Sequence, residues 1–167
     1  METEAYFNIG GCCASLLWDL KSFFDMVDHD LLRERAVKVG FPPALLELAL
    51  AAYKAPRALQ IREGVAEPIY PTRGVMAGCT FAKVLISIYY MPIMDIFVKK
   101  FPGVDLSIYI DDITLTVRGM TEEQVANVLH QAAKEMERII TEDLRCARKV
   151  HLLVGKWHSP TDRCNLL

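Results

Sequence analysis

Three aspartates, Asp19, Asp111 and Asp112, have the residue types and setting for metal-assisted chemistry. Asp111 and Asp112 are adjacent and lie between Tyr109-Ile110 and Ile113. The pair therefore sits at the tip of two apolar runs, where solvation does not account for the neighbours. Carboxylates side by side repel unless cations neutralise them. Asp19 stands at the end of another apolar run, Ala14 to Leu20. Two strand ends meeting edge to edge would bring Asp19 and Asp111 together as an all-oxygen cluster. Oxygen ligands suit a hard divalent cation, Mg²⁺ or Mn²⁺. Two such ions, roughly 3.5–4 Å apart, clamp the attacking and leaving oxygens of a phosphoryl transfer. A second set, Cys146, His151, His158 and Cys164, has zinc-type residues with gaps of four, six and five residues. That spacing is not a tight finger pattern, so separate core and surface roles are expected.

The elements that must position the acids are legible in the apolar spacing. Ala14 to Leu20 reads as a buried strand. Asp28 to Val39 reads as a helix, with Asp28 or Asp30 as cap, Leu31, Leu32, Ala36 and Val39 at helical spacing, and Gly40 as stop. Pro42 and Pro43 open a second helix that runs to about Tyr53 and ends at Pro56. Arg57 to Arg62 and Val65 to Tyr70 read as extended pieces around Glu63-Gly64. Phe81 to Lys100 predicts a long apolar helix, kinked or broken at Pro92. Leu106 to Ile110 and Ile113 to Val117 predict two strands joined by Asp111-Asp112. Thr121 to Gln124 is a capping box opening a helix with Val125, Leu129, Ala132, Met136 and Ile139/Ile140 on one face. A last strand is expected within Lys149 to Val154. The order β-α-α-β-β-α-β-β-α-β predicts an α+β fold, an antiparallel sheet with helices packed on one face.

Three segments in this order resemble reverse transcriptases, closest to those of non-LTR retrotransposons and group II introns. Asp19-Leu-Lys-Ser-Phe-Phe-Asp25-Met-Val-Asp28-His29-Asp30-Leu-Leu is similar to motif A, Arg73-Gly74-Val75-Met76-Ala77-Gly78-Cys79 to motif B, and Tyr109-Ile110-Asp111-Asp112 to motif C. The resemblance runs from about Ser15 to Arg118 and implies a right-hand polymerase palm. It implies that Asp19, Asp111 and Asp112 are catalytic and hold two Mg²⁺ (or Mn²⁺) ions. It also implies a nucleotide-binding set of Leu20 (through its carbonyl), Lys21, Phe24, Ala77 and Gly78. Phe24 falls at the steric-gate position, where an aromatic ring excludes a ribose 2′-hydroxyl and favours deoxynucleotides. Gly78 allows close backbone approach. The implied reaction is attack of a primer 3′-hydroxyl on the α-phosphate of a dNTP, with catalysis by positioning and charge stabilisation. Ala77 stands where the family has Gln, Thr80 and Ala82 where Pro and Ser are common, and Phe23 where a small residue beside the gate is usual. Lys149 is the best candidate for the lysine of a fourth motif. The implied partners are an RNA template, a DNA primer and the remainder of a longer polyprotein.

The bulk composition bounds these expectations. The 167 residues are 52% hydrophobic and 24% charged, which excludes a disordered tail and suits one domain. Residues 1–167 are expected to form a single palm domain without the N-terminal part of the fingers and without a thumb. Net charge is −2, yet charge is segregated: Arg33 to Arg62 holds six basic against two acidic residues, and Asp19 to Asp30 holds four acids and one lysine. Basic flanks around an acidic centre suit a metal site that handles phosphate. Five cysteines in no paired framework indicate a reducing, intracellular compartment. Nucleus is suggested by the resemblance alone. Met1 to Asn8 lacks the basic region of a signal peptide, and Val84 to Met94 is too short to span a membrane. The expected function is RNA-templated DNA synthesis, as a fragment or decayed copy of a retroelement enzyme. Two alternatives are an RNA-templated RNA polymerase, which aromatic Phe24 disfavours, and a non-catalytic scaffold that binds RNA or protein.

Overall fold

Strand alternation fixes which face of the sheet is covered. In the computed structural model, which describes residues 12–62, 64–119, 121–146 and 149–151, four antiparallel strands form the main sheet. They are β1 (Cys12–Asp19), β4 (Val104–Tyr109), β5 (Asp112–Gly119) and β6 (Lys149–His151), in the order β4-β5-β1-β6. Across β4, β5 and β1 the register aligns three apolar rows: Val104, Val117 and Ala14; Leu106, Leu115 and Leu16; Ile108, Ile113 and Trp18. Trp18, Ile113 and Leu115 are fully buried. The opposite face carries Ser107, Tyr109, Asp112, Thr114, Thr116, Ser15 and Asp19, and the Ser15 and Thr116 hydroxyls bond across it at 2.9 Å. A slip of one residue would drive Trp18 and Leu115 into water, and each buried side chain of that size is worth about 1.5–3 kcal/mol. The hydrophobic pattern thus locks the register that sets the acids opposite each other.

Helices cover the apolar face. Between β1 and β4 run α1 (Phe23–Met26), α2 (His29–Lys38), α3 (Pro43–Lys54) and α4 (Ala82–Lys100). After β5 comes α5 (Glu122–Arg138), which packs on β5, β1 and β4. Asp28 is the cap of α2, accepting the N–H groups of Asp30 and Leu31, and Gly40 at φ 72° follows its end. Thr121 caps α5 by accepting the Gln124 N–H at 3.3 Å. Val125, Ala132 and Met136 are the buried stripe of α5. Its last turn widens to a π-turn, Ile139–Asp143, which buries both Ile139 and Ile140.

Three expectations need correction. α4 is not broken at Pro92 but runs on as one helix, its apolar side chains held against the sheet and α2. The extended pieces shrink to two-residue strands, β2 (Gln60–Ile61) and β3 (Gly64–Val65), with one further bridge between Arg57 and Ile69. Leu59, Val65, Ile69 and Tyr70 remain exposed, so burial does not extend that ribbon. Asp112 is not part of the hairpin loop but the first residue of β5. The final strand pairs with β1 over Lys149–His151, placing Lys149 opposite Asp19; Leu152 to Val154 lie outside the described residues.

A buried arginine ties the helices together. Arg35, 8% exposed, lies over the Tyr89 ring at 5.0 Å and donates to the carbonyls of Tyr89 and Asp143. The Tyr89 hydroxyl donates to the Leu144 carbonyl at 2.8 Å. A buried guanidinium costs desolvation unless its N–H groups are met, and here carbonyls and a ring face meet them. Among the described residues, no helix is long and apolar enough to cross a membrane.

Candidate active site

The acids are brought together by backbone pairing. Asp19 ends β1, Asp112 begins β5, and the two are register partners, which sets their Cα atoms about 4.5–5.5 Å apart. Asp111 occupies the two-residue loop with Ile110, between the paired Tyr109 and Asp112. The N–H of Leu20 donates to the Asp111 carbonyl at 3.0 Å. Ile110 has φ 58°, a left-handed conformation that costs a β-branched residue of order 1–3 kcal/mol. Tight hairpins normally place Gly or Asn there. The paired residues on both sides and the Leu20 bond hold the loop in that shape.

Motif A continues into a sharp turn. Ser22 is left-handed at φ 52° and precedes the single-turn helix α1. Phe23 faces inward at 1% exposure, with ring centroids 6.4 and 6.5 Å from Tyr89 and Tyr90. Phe23 is thus a core residue. Phe24 is half-buried and lines a cleft of about 180 Å³ with Lys83, Ile86, Ser87, Tyr90, Ile108, Tyr109 and Ile110. One cleft therefore connects Phe24 to the residues that carry the paired acids. Leu20 is buried, whereas Lys21 is exposed.

The motif B loop is stitched onto motif A. Gly74 N–H donates to Val27 O at 2.8 Å, and Val75 N–H to Phe24 O at 2.7 Å. Gly74 has φ 98°, and a Cβ there would lie 3.2 Å from the Asp25 backbone and 3.3 Å from Phe24 O. His29, 3% exposed, bonds through Nε2 to Gly74 O at 2.7 Å. Ala77 and Gly78 are exposed on this loop. Gly78 is at φ 86° with open space where a Cβ would go, so conformation rather than crowding calls for glycine. Cys79 follows; the Tyr53 hydroxyl donates to its Sγ at 3.3 Å and pulls its thiol below the usual range.

The joint that sequence reasoning missed lies around Asp28. Arg145 Nη1 donates to Asp28 Oδ2 at 2.9 Å, and Arg73 Nη2 is 3.7 Å from the same oxygen. The cap signal at Asp28 was readable; the arrival of Arg145 from 117 residues away was not.

Among the described residues, no three His, Cys, Asp or Glu side chains form a group that could hold a metal ion as they stand. The donor set nevertheless has the right chemistry for a hard cation, two carboxylates on paired strand ends and a third in the adjoining loop. The zinc-type set gains nothing. Cys146 is buried with its thiol pushed up to about 11 by that burial, and it donates to Leu144 O at 3.3 Å. His158 and Cys164 lie outside the described residues.

The family model described as reverse transcriptase (RNA-dependent DNA polymerase) matches residues 2–152. No match is found among curated proteins. Among solved structures, the chain is similar to apo telomerase from Candida tropicalis truncated from its C-terminal domain. The TM-score is 0.65 at 12% identity, over 92% of this chain and 32% of that one. It is also similar to telomerase from Candida albicans in complex with a fragment of telomeric RNA. There the TM-score is 0.65 at 13% identity, over 89% of this chain and 28% of that one. The chain thus spans about a third of the length of these relatives, and the likeness is one of fold, a polymerase palm.

Proposed function

The chain belongs to the reverse transcriptase (RNA-dependent DNA polymerase) family, and from that premise we propose that it is the palm of an enzyme that copies RNA into DNA. The observation that carries the proposal is the register of Asp19 with Asp112, with Asp111 in the adjoining loop. In this reading the three carboxylates hold two divalent ions, Mg²⁺ or Mn²⁺. Bound there, such ions would supply charge stabilisation for displacement at the α-phosphate of a dNTP. The primer 3′-hydroxyl would lose its proton to water and bond through oxygen to the α-phosphorus, as the bond from that phosphorus to the pyrophosphate oxygen breaks and pyrophosphate leaves.

The chain's own residues do the orienting. Phe24 presents its half-buried ring to the cleft that also contains Tyr109 and Ile110. A ring there packs on a deoxyribose and collides with a 2′-hydroxyl, which disfavours the RNA-polymerase alternative. Ala77 and Gly78 offer an exposed loop for the nucleotide, and exposed Lys21 offers a cation for its phosphates. Leu20 is tied to the acid-bearing loop by its N–H bond to the Asp111 carbonyl, and its own carbonyl would face a metal there. The Gln that the family uses at position 77 is absent, so nucleotide contacts on that side are reduced to backbone and a methyl group. The chain spans about a third of the length of its solved relatives, and in this reading template and primer are gripped chiefly by regions beyond the part it shares with them.

The test is metal binding and primer extension on an RNA template, with dNTPs and then NTPs, comparing wild type with Asp111→Asn. The expected result is weak Mn²⁺ binding that the variant loses, with little or no processive extension by the isolated chain. Robust extension by wild type alone would overturn the view that other parts are needed. Equal Mn²⁺ binding by the variant would overturn the carboxylate site.

A further inference from the structure

We propose that Asp28 is a positioning residue that holds the motif B loop and the chain leading to β6 in place on motif A. The inference rests on the reading above only for its consequence, that Ala77 and Gly78 meet the nucleotide. The two oxygens of its carboxylate have different partners. Oδ1 accepts the N–H groups of Asp30 and Leu31 at 3.0 and 3.1 Å, the cap of α2. Oδ2 faces Arg145 Nη1 at 2.9 Å and Arg73 Nη2 at 3.7 Å.

Three segments meet at that second oxygen. Asp28 itself closes motif A. Arg73 enters motif B, and its backbone bridges to Asp28. Arg145 lies on the path from the π-turn to β6, four residues before Lys149, the register partner of Asp19. It is left-handed at φ 53°, an unfavourable conformation for arginine outside a constrained turn. The neighbouring Leu144 carbonyl accepts the Tyr89 hydroxyl, whose oxygen also faces the Asp28 N–H at 3.4 Å. The Asp28 side chain is only 14% exposed, while Arg73 and Arg145 are 43% and 55% exposed. A single exposed ion pair would do little, but two guanidinia on one mostly buried carboxylate form a network with a fixed centre.

The cap and the clamp can be separated. Asn caps a helix about as well as Asp but carries no charge for the arginines. The experiment compares wild type, Asp28→Asn and Asp28→Ala by amide hydrogen exchange, with thermal melting as a check on folding. The clamp predicts that Asp28→Asn speeds exchange at Gly74, Val75 and Cys146 about tenfold, while Leu31 and the β5 amides stay protected. Asp28→Ala should also release Leu31. Binding of a fluorescent dTTP with Mg²⁺ should weaken about fivefold in Asp28→Asn if the loop meets the nucleotide. Wild-type protection at Gly74, Val75 and Cys146 in Asp28→Asn would reduce Asp28 to a cap and overturn the proposal. Equal acceleration across β5 would mark global loosening and overturn it too. A wild-type chain that binds no labelled dTTP counts against the polymerase reading, and the exchange pattern still decides the clamp.

Discussion

The backbone N–H of Leu20 donates to the carbonyl of Asp111 at 3.0 Å, one residue beyond the register pair of Asp19 and Asp112. This bond extends the β1–β5 ladder into the loop that carries the acids. It fixes the strained Ile110–Asp111 loop relative to the end of β1, using backbone atoms that no substitution but proline removes. The geometry of the acids is therefore a property of the sheet, and the sheet is specified by its buried rows. Side-chain choice then decides only which chemistry is presented there.

Gly74→Ala should be among the most damaging single changes outside the acids. The new Cβ would lie 3.2 Å from the Asp25 backbone at a φ of 98°, and neither backbone segment can retreat without breaking the Gly74–Val27 and Val75–Phe24 bonds. Overpacking plus left-handed strain amounts to about 2–4 kcal/mol. Urea unfolding should show a loss of that size, while Gly40→Ala, with open space around its Cβ, should cost less.

Acid should weaken the Asp28 clamp. Burial raises the pKa of this carboxyl, but the Leu31 N–H, the Arg145 guanidinium and the Asp30 N–H outweigh it, so the pKa is held below the ordinary carboxylate range. The folded value is thus lower than the unfolded value of about 3.9. The stabilisation is complete above that unfolded value and is lost as pH falls through the folded one. The gap in urea midpoint between wild type and Asp28→Asn should be constant from about pH 7 to pH 5 and shrink at lower pH. A gap that stays constant through acid would show that Asp28 gains nothing from its charge.

Cys79 should be the readiest of the shifted thiols to alkylate. The Tyr53 hydroxyl lowers its pKa against a smaller opposing effect of burial, and the N–H groups of Phe81 and Ala82 add to the lowering. Burial raises Cys13 and Cys146. Thiolate is the reactive form, so iodoacetamide should label Cys79 at least about tenfold faster than Cys146 at pH 8, read by mass spectrometry. Tyr53→Phe should slow labelling at Cys79 several-fold. Faster labelling in that variant would mean that the hydroxyl shields the sulfur rather than activating it.

Local signals account for most of what could be read in advance. The cap at Asp28, the capping box at Thr121 and the apolar stripe of α5 act within one helical turn, so their physics is visible in adjacent residues. Alternation in β1, β4 and β5 likewise declares which side chains face inward. The break allowed for at Pro92 does not occur, because packing of the apolar helix overrides the local backbone cost. The ribbon from Arg57 to Ile69 misled because extended propensity was present but burial was not.

By itself the sequence determined the residue types of the site, the strands that end in acids, and the order of the three motifs. Pairing decided the rest. That Asp112 rather than Asp111 stands opposite Asp19 follows from the β1–β5 register, which all the buried rows select together. That Phe23 is core while Phe24 faces the cleft depends on how α1 sits against Tyr89 and Tyr90. That Asp28 gathers Arg73 and Arg145 depends on contacts between residues 45 and 117 positions apart. Contacts at such separations form only when the whole core closes, because no local propensity favours them.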